Sequence, residues 1–428
     1  MNKKSIVQVA SAILVVMLLV ALPLVGCKAG APKATKPAEV VVYAYGDLSG
    51  PLAPVSAPAT AAMADVAAWY NAQGGIDGVP VRVVTRDTEY KLDMAIASYN
   101  TFREAQPKPL VMFTWGSAEC EALASRYAED EIVGYMFALT TKAIYPPAYM
   151  FPFAPGYVDT FGAFIDWVVD VWQKKTGMPV KLAFCTWDNS YGRSVLVDEA
   201  REYAKKRGVE IVAEEVFPML YLDVTTQMTR IKAAGANWVY DNSLGQGPKV
   251  VSKAAKSLGI LANDPYDTSP GKVRRATGPF PGGSDEATVR LAGDLAEGMI
   301  MLRAYASYAE TDNKGIQFLD QLLQKNNRAG DQFRVAGYLA GTAGLYTAAE
   351  TIKKAVAAGG WENLSGKAVK EQFEKTTDFD VLSLGKVSFT PDKHEPKKLK
   401  LYQVKGGKLI PITDYVVCPD LRPAEFRK

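Results

Sequence analysis

The stretch NAQGGIDGVPV, residues 71–81, decides how this chain folds. It follows residues 58–73, in which large apolar side chains recur at helical spacing. Its two consecutive glycines end such a helix with a left-handed turn, and the β-branched run at 79–85 then predicts a strand. A further strand is predicted at 40–45. The order strand, helix, strand is the repeating unit of a parallel sheet.

The same alternation continues along the chain and restarts in its second half. Because helices of this length cross over between parallel strands, the pattern predicts an α/β fold with two doubly wound parallel-sheet lobes. The strands are predicted at 40–45, 79–85, 110–115, 132–138, 180–185, 209–216 and 237–241. The helices are predicted near 58–73, 92–104, 119–130, 160–176, 193–207 and 225–234.

The last part of the chain departs from this alternation. Residues 262–290 are rich in Pro, Gly and Asp, and we expect a long surface excursion there. A strand at 299–302 and helices at 342–357 and 365–374 follow. From Gly385 onward, short β segments predict an antiparallel end of the chain.

The N-terminus has the pattern of an export signal. Residues 1–26 combine two early lysines, an apolar run over 6–25 and the sequence Leu-Val-Gly before Cys27. This order resembles a bacterial lipobox, in which Cys27 receives lipid and becomes the mature N-terminus. An uncleaved membrane anchor is the alternative, because the run approaches the roughly 20 residues of a membrane span. Residues 27–38 are then a flexible tether, and we expect an exported protein that touches the membrane only through its N-terminal lipid and faces the periplasm or cell exterior.

The composition excludes several classes of function. The chain has 49 Lys and Arg against 46 Asp and Glu, so it offers no strongly basic surface for nucleic acid. Its one histidine, His394, rules out sites with two imidazoles and, in a charged turn, is expected to face solvent. No nucleophile elbow or phosphate-binding loop occurs, so we expect no enzyme, no cofactor and no metal. Which of Cys120, Cys185 and Cys418 pair, if any, stays open.

Five motifs carry a family resemblance. GDLSGPL at 46–52 follows the first strand, and the 71–81 stretch follows the first helix. The turn at 116–117, DNSYG at 188–192 and GKVSF at 385–389 match more loosely. Together they resemble the branched-chain amino-acid type of substrate-binding protein that serves ABC transporters, which has the type I periplasmic-binding fold.

The resemblance implies two lobes joined by three crossover segments, with the ligand closed between them by a hinge. Carried onto this chain, lobe one comprises residues 39–157 and 304–396, and lobe two comprises residues 158–303 and 397–420. The implied role is the solute-binding component of an ABC importer, a monomer that passes its ligand to permease subunits driven by a separate ATPase. The expected ligand is a branched-chain or other amino acid. The alternatives are an aromatic or other organic acid or an amide in the same role, and a ligand-sensing receptor domain.

Ligands of parallel sheets bind in the loops at the carboxyl ends of the strands. In lobe one, Ser117 and the amides of the helical turn that it begins form a candidate cradle for a carboxylate, and a plain helix cap is the alternative. Thr140 or Thr141 matches a family threonine that contacts the ligand carboxylate, although turn hydroxyls would look the same. The candidates of this lobe are Trp115, Gly116, Ser117, Ala118, Leu139, Thr140, Thr141 and Tyr157.

In lobe two, Tyr191 matches the family's tyrosine that lies over the ligand, and a half-buried aromatic at a helix start is the alternative. The candidates of this lobe are Trp187, Asp188, Tyr191, Asn242 and Ser243. An amino-acid ligand also needs an acid for its ammonium group. Asp267, or Asp264, lies where the family has its glutamate, and solvated turn acids are the alternative. The aromatic candidates would equally suit a flat or apolar ligand.

Overall fold

The connection at residues 71–81 folds as its sequence predicts. Helix α1, Ala53–Ala72, ends in a turn where Gly75 has a φ of +63°. A Cβ atom at Gly75 would overlap a backbone carbonyl of the loop, so this position requires glycine. The Asn71 side chain donates to the carbonyl of Val81 (2.8 Å) and accepts from its amide (2.7 Å). These two bonds fasten the end of α1 to the start of the next strand.

The computed structural model describes residues 36–279 and 282–427. The predicted signal peptide, Cys27 and most of the predicted tether lie outside the described residues. None of the helices within those two described ranges is long and apolar enough to cross a membrane.

The first of two main sheets is entirely parallel, with the strand order β2-β1-β3-β4-β5. All seven residues of its strand β1 are buried, as is typical of strands covered on both faces. Its strands are β1 (Val40–Gly46), β2 (Val81–Asp87), β3 (Val111–Thr114), β4 (Val133–Met136) and β5 (Met150–Pro152).

The second main sheet has the order β14-β13-β10-β9-β8-β6-β7, and β15 pairs with β13. Strands β6 to β10 are parallel, and β13 and β14 continue the sheet in the antiparallel sense. A small hairpin pairs β11 with β12. The strands are β6 (Lys181–Trp187), β7 (Glu210–Phe217), β8 (Trp238–Asp241), β9 (Arg274–Thr277), β10 (Ile300–Arg303), β11 (Phe379–Asp380), β12 (Lys386–Val387), β13 (Lys398–Lys405), β14 (Lys408–Pro411) and β15 (Val416–Val417).

The helices alternate with the parallel strands, so the predicted α/β fold with two parallel-sheet lobes is confirmed. The residue boundaries of the lobes stay a prediction. The remaining helices are α2 (Leu92–Arg103), α3 (Ser117–Glu129), α4 (Thr141–Ile144), α5 (Tyr157–Trp167), α6 (Lys174–Thr176), α7 (Ser190–Arg193), α8 (Asp198–Lys206), α9 (Thr225–Ala233), α10 (Gly247–Ser257), α11 (Glu286–Ala292), α12 (Lys314–Lys325), α13 (Ala336–Gly359) and α14 (Gly366–Glu374).

Several helical stretches differ from the sequence prediction. A π-helical segment, Val168–Gln173, joins α5 to α6 within the single helix predicted at 160–176. The helix predicted at 193–207 is shorter: α8 begins at Asp198, and the separate short helix α7 ends at Arg193. Helices α10 and α12 were not predicted, although the buried face of each has a regular apolar pattern.

Helices α1 and α13 pack with their backbones in direct contact. Gly337 and Gly341, one turn apart on α13, face the carbonyl oxygens of Val55 and Ala59, and a Cβ atom at either glycine would overlap them. Side chains at these two positions would push the helices apart. The contacts therefore fix the N-terminal half of α1, which borders the site described below.

The prediction of a surface excursion at residues 262–290 is wrong. Residues Arg274–Thr277 form β9, a strand inside the second sheet with every residue buried. The guanidinium of Arg275 donates to Oγ of Ser252 (2.5 Å) and to the carbonyl of Glu297 (2.8 Å). These bonds offset part of the cost of burying the guanidinium. Because β9 contains two arginines, its sequence lacks the hydrophobic pattern that would predict a buried strand.

The expectation that His394 faces solvent is also wrong. Its ring is fully buried and stacks on Phe151 with 4.1 Å between ring centroids, and Nε2 lies 2.9 Å from Oε1 of Glu374. The neighbouring Lys393 and Glu395 are buried as well. A turn of charged residues lies inside the protein here because oppositely charged partners arrive from distant segments.

The three cysteines of the described ranges are all buried and free: Cys120, Cys185 and Cys418. The question that the sequence left open is therefore answered by the fold, which brings none of them together as a pair. Burial raises the pKa of each thiol well above its usual value, so each is an inert apolar group in the core.

Candidate ligand-binding site

A narrow cavity of about 350 Å³, including space open to solvent, lies where the loops after β1, β2, β3, β5, β6 and β8 meet. Its walls therefore come from the carboxyl ends of strands in both sheets, as the general rule for parallel sheets predicts. The lining residues are Asp47, Leu52, Val55, Ser56, Tyr90, Trp115, Gly116, Ser117, Tyr157, Tyr191 and Leu244.

The first turn of α3 forms one wall. Its N-cap residue is Gly116, which has no side chain with which to cap the turn. Oε1 of Glu119 instead accepts from the amides of Trp115 (2.6 Å) and Gly116 (2.9 Å). That bond satisfies the loop before the helix, whereas the amides of Ser117 and Ala118 belong to the orphan donors of a helix N-terminus. The turn can thus donate to an anion at the positive end of the helix.

Hydroxyl groups converge beside this turn. Oγ of Ser117 lies 3.5 Å from the hydroxyl oxygen of Tyr157, a distance at which both groups can still bond to a third. The amide of Tyr157 donates to the carbonyl of Leu139, which sets the ring at the start of α5. The Tyr157 and Tyr191 rings meet edge to face at 5.1 Å. Burial raises the pKa of both phenols, so they stay protonated and act as donors.

The indole of Trp115 closes the base of the cavity. It stacks on Phe137 with 4.1 Å between centroids and an interplanar angle of 23°. A Cβ atom at Gly46 would overlap the indole, so the glycine at the end of β1 makes room for it. The Nε1 donor of Trp115 is buried and has no acceptor among the described residues. The wall is therefore aromatic and offers a free donor.

Three predicted candidates at the carboxyl ends of strands of the second sheet lie outside the cavity lining and contact the residues around it. Nδ2 of Asn242 donates to the carbonyl of Tyr191 (2.8 Å), and Oγ of Ser243 donates to a carboxylate oxygen of Asp241. The Trp187 ring lies 6.3 Å from the Tyr191 ring and is buried. Asn242 and Trp187 thus support Tyr191, Ser243 bonds to Asp241, and none of the three lines the cavity itself.

Five of the fourteen predicted residues line the cavity: Trp115, Gly116, Ser117, Tyr157 and Tyr191. Ala118 borders a shallower depression at the mouth, beside Leu92 and Tyr191. The loop after β4 does not reach the cavity. Leu139 is a core residue, Thr140 donates to Oε1 of Glu121, and Thr141 begins α4 at a half-exposed position.

Three acids named as candidates lie elsewhere. Asp188 is exposed and forms an ion pair with Arg193 at 2.6 Å. Asp267 accepts from the amide of Ser269, and Asp264 accepts from the amide of Tyr266, so each stabilises a local turn. Both turns precede β9 and belong to the amino-terminal edge of the sheet, opposite the cavity. The structure thus places these acids in the alternative role that the sequence left open.

Sequence reasoning missed several residues of the wall. Asp47 follows β1 and accepts from the amides of Gly50 (2.5 Å) and Leu52 (2.6 Å), and burial raises its pKa. Tyr90 follows β2 and has a φ of +58°. The strand-end rule applies to both, but the loop after β2 carries no recognisable motif. Val55 lies on α1, and the close contact of α1 with Gly337 of α13 sets the position of Val55 in the cavity wall.

The comparisons with known proteins agree with this arrangement. A sequence profile of the family described as periplasmic binding protein matches residues 44–408. The match spans most of the chain, so the chain belongs to the periplasmic binding protein family, which captures ligands and is not enzymatic. The expectation that the chain is not an enzyme is thereby confirmed. No curated protein sequence matches the chain.

Three solved structures illustrate the fold. A branched-chain amino-acid ABC transporter protein from Thermus thermophilus with bound valine shares 22% identity, covers 90% of this chain and 97% of its own, and has a TM-score of 0.78. An ABC transporter substrate-binding protein from Aeropyrum pernix shares 19% identity over 91% of this chain and 99% of its own, with a TM-score of 0.74. A fatty acid ABC transporter substrate-binding protein from Thermomonospora curvata shares 18% identity over 91% and 95%, with a TM-score of 0.73. At these identities the likeness shows the fold alone.

Proposed function

We propose that this chain is the extracytoplasmic solute-binding component of an ABC importer and captures a small carboxylate-bearing ligand between its two lobes. The membership in the periplasmic binding family and the roles named for the three structural relatives support this role. The protein works by capture without chemistry. It closes on the ligand and passes it to permease subunits that a separate ATPase drives.

The observation that carries the carboxylate is the first turn of α3. Ser117 and the hydroxyl of Tyr157 converge there with the amides of a helix N-terminus that has no side-chain cap. A carboxylate with two oxygens can accept from both kinds of donor at once. The carboxylate replaces the water that these donors otherwise need, and a ligand without such a group leaves them unpaired at a cost of about 1–3 kcal/mol each.

The walls favour an apolar or aromatic organic acid as the ligand. The cavity is lined by four aromatic rings, and its one acidic residue is Asp47, whose carboxylate already accepts two backbone amides. Burial raises the pKa of Asp47, which makes it a poorer partner for an ammonium group than an ionised acid. The acids that could have replaced it, Asp264 and Asp267, belong to turns at the other edge of the sheet.

A branched-chain amino acid is the second candidate. The observation in its favour is that Asp47 lies in the wall, where one of its oxygens could still accept from a ligand ammonium group. The Thermus thermophilus relative was crystallised with bound valine, which is such a ligand.

The exported, lipid-anchored and monomeric state belongs to the same proposal. It rests on the N-terminal pattern before Cys27 and on the family resemblance, and a Cys27→Ser variant should move the protein from the membrane fraction to the soluble fraction of cells. Retention of that variant in the membrane would indicate an uncleaved anchor.

A thermal-shift screen tests the ligand class. The exported chain, residues 27–428, is unfolded and refolded to remove carried ligand, and its melting temperature is measured with aliphatic amino acids, aromatic acids, simple organic acids and amides. A bound ligand raises the melting temperature by mass action. Ser117→Ala should weaken binding of the best acid about tenfold, whereas Ser257→Ala, whose hydroxyl bonds only within α10, should not. A rise with amides but with no carboxylate contradicts the proposal.

A further inference from the structure

A second and larger depression opens directly beside the cavity. It is a groove of about 1580 Å³, including space open to solvent, against about 350 Å³ for the cavity. The two share Leu52 and Val55 as lining residues, so these side chains belong to the wall between them. The residues that line the groove are Pro51, Leu52, Ala53, Pro54, Val55, Ala57, Pro58, Ala61, Gly245, Gln246, Gly282, Ala287, Thr288, Arg290, Leu291, Arg328, Gln332, Phe333 and Val335.

Helix α1 presents apolar side chains to this groove where a surface helix usually has polar ones. Pro54 is exposed, and Ala57 and Ala61, spaced by four residues, are half-exposed. These positions lie along one stripe of the helix because residues i, i+3, i+4 and i+7 share a face. From Ala53 to Ala61 the stripe is about 12 Å long, at 1.5 Å per residue. The groove is therefore long and narrow enough to take a chain.

The opposite wall continues the apolar surface. It is formed by Ala287 and Leu291 on α11 and by Phe333 and Val335 before α13. Leu291 is 37% exposed, so its side chain adds to the apolar surface of this wall. An aliphatic group between the two walls would remove apolar surface of both from water.

The rim of the groove is basic. Arg290 donates to the carbonyl of Asp331 (2.8 Å) and has no carboxylate within ion-pair distance among the described residues. Arg328, also at the rim, is neutralised by Asp65 at 2.5 Å. One uncompensated positive charge at the mouth attracts an anion and repels a cation. The groove thus fits an anionic amphiphile better than a basic peptide.

We propose that the cavity and the groove are two halves of one site for an aliphatic carboxylic acid of medium or long chain. The carboxylate lies at the first turn of α3, and the alkyl chain passes between Leu52 and Val55 and lies along the apolar stripe of α1. This inference rests on the proposed function for the carboxylate end and adds the class of ligand. The shared wall residues carry it, because a tail that leaves the cavity there enters the groove.

A chain-length series tests the inference. The refolded exported chain is titrated by calorimetry with butyrate, octanoate, dodecanoate and palmitate, each below its micelle concentration. We expect the affinity to rise about fourfold for each methylene that the groove buries, until the groove is filled. Equal affinities for butyrate and dodecanoate would overturn the inference and leave the proposed function in place. Failure of every carboxylate to bind would instead contradict the proposed function.

A variant that fills the groove separates tail binding from general hydrophobic adsorption. Ala61→Phe should lower the affinity for dodecanoate at least tenfold and leave that for butyrate unchanged. Ala68→Phe is the matched control, because Ala68 is exposed on the same helix and lies outside the groove. Equal effects of the two variants, or equally tight binding of dodecyltrimethylammonium, would overturn the inference. So would a dimer of the refolded chain that dissociates when Ala61→Phe is introduced, since a second copy would then occupy the groove.

Discussion

The cavity and a cluster of charges near the predicted crossover segments differ in how completely their polar groups are paired. This crossover cluster consists of Lys393, Asp159, Glu395 and Asp420. Nζ of Lys393 lies 2.6 Å from Asp159, 3.5 Å from Glu395 and 3.3 Å from Asp420. The cavity, in contrast, contains one acid, no basic residue in its described lining and several hydroxyl and indole donors.

The carboxylates of the crossover cluster have full sets of partners. Glu395 accepts from the hydroxyl of Tyr145 (2.7 Å) and from the amide of Gly156 (2.7 Å). Asp159 accepts from the amide of Leu421 (2.7 Å). Burial and the nearby Glu395 raise the pKa of Asp159, and Lys393 opposes that rise.

This comparison shows that paired charges and free hydrogen-bond donors have different roles in the protein. Charges with complete partners tie distant segments together, whereas the Trp115 indole in the cleft keeps a donor that is unpaired among the described residues. A polar group that is satisfied inside the protein has little to offer a ligand, whereas an unsatisfied one gains a hydrogen bond when the ligand arrives. Substitutions in the cluster should therefore change stability, and substitutions in the cavity should change affinity.

The largest effect is expected from Lys393→Met. Loss of the ammonium group leaves three acidic side chains close together, two of them buried, without their cation, which should lower the free energy of unfolding by about 3–5 kcal/mol. Urea denaturation of the refolded chain measures this loss. Lys398→Met is the control, because Lys398 pairs with Asp378 at 3.9 Å on the surface and should cost less than about 1 kcal/mol. Equal losses for the two variants would remove the contrast between cluster and surface.

A smaller loss is expected from Glu395→Gln. Tyr145 and Gly156 donate to different oxygens of Glu395, and the amide of glutamine has only one oxygen, so its NH2 group faces one of these donors. We expect the free energy of unfolding to fall by about 1–3 kcal/mol, with unchanged ligand affinity. Denaturation and calorimetry on the same preparation check both parts. A large affinity loss without a stability loss would place Glu395 in the binding machinery.

Asp241→Asn should act with the opposite sign and depend on pH. Burial raises the pKa of Asp241 to about 7, and within the described chain its carboxylate forms no ion pair and accepts from Ser243. Because the folded protein holds this proton more tightly than the unfolded chain, the ionised acid destabilises the fold as pH rises from about 4 to 7. The asparagine variant should melt at a higher temperature than the wild type at pH 8, and the difference should vanish near pH 4. A difference that does not change with pH would show that Asp241 is ionised throughout.

The smallest effect is expected from Asp188→Asn. The ion pair of Asp188 with Arg193 is exposed, so its loss should change the free energy of unfolding by less than about 1 kcal/mol and leave ligand affinity unchanged. Calorimetry with the best acid of the screen measures the second part. A tenfold loss of affinity would instead indicate that Asp188 contacts the ligand, as its position in the sequence predicts.

The sequence predicted the elements whose pattern is local. The glycine turn after α1, the alternation of strands and helices and the loops at Trp115 and Tyr191 all follow from neighbouring residues and from the strand-end rule. The prediction failed at β9, because a strand with two arginines looks exposed until the partners of the arginines are known. It also failed at His394, which lies in a turn of charged residues.

Sequence alone determined that this chain forms parallel sheets whose loops meet at one edge, because hydrophobic period, glycine turns and helix length are properties of short segments. Only the tertiary structure decided which polar residues face the cavity and which are satisfied elsewhere. The partner of Lys393 is Asp159, 234 residues away in the chain, and Asp267 turned out to stabilise its own turn. Whether a charge is buried depends on groups that the fold brings to it, and their distance in sequence leaves no local trace.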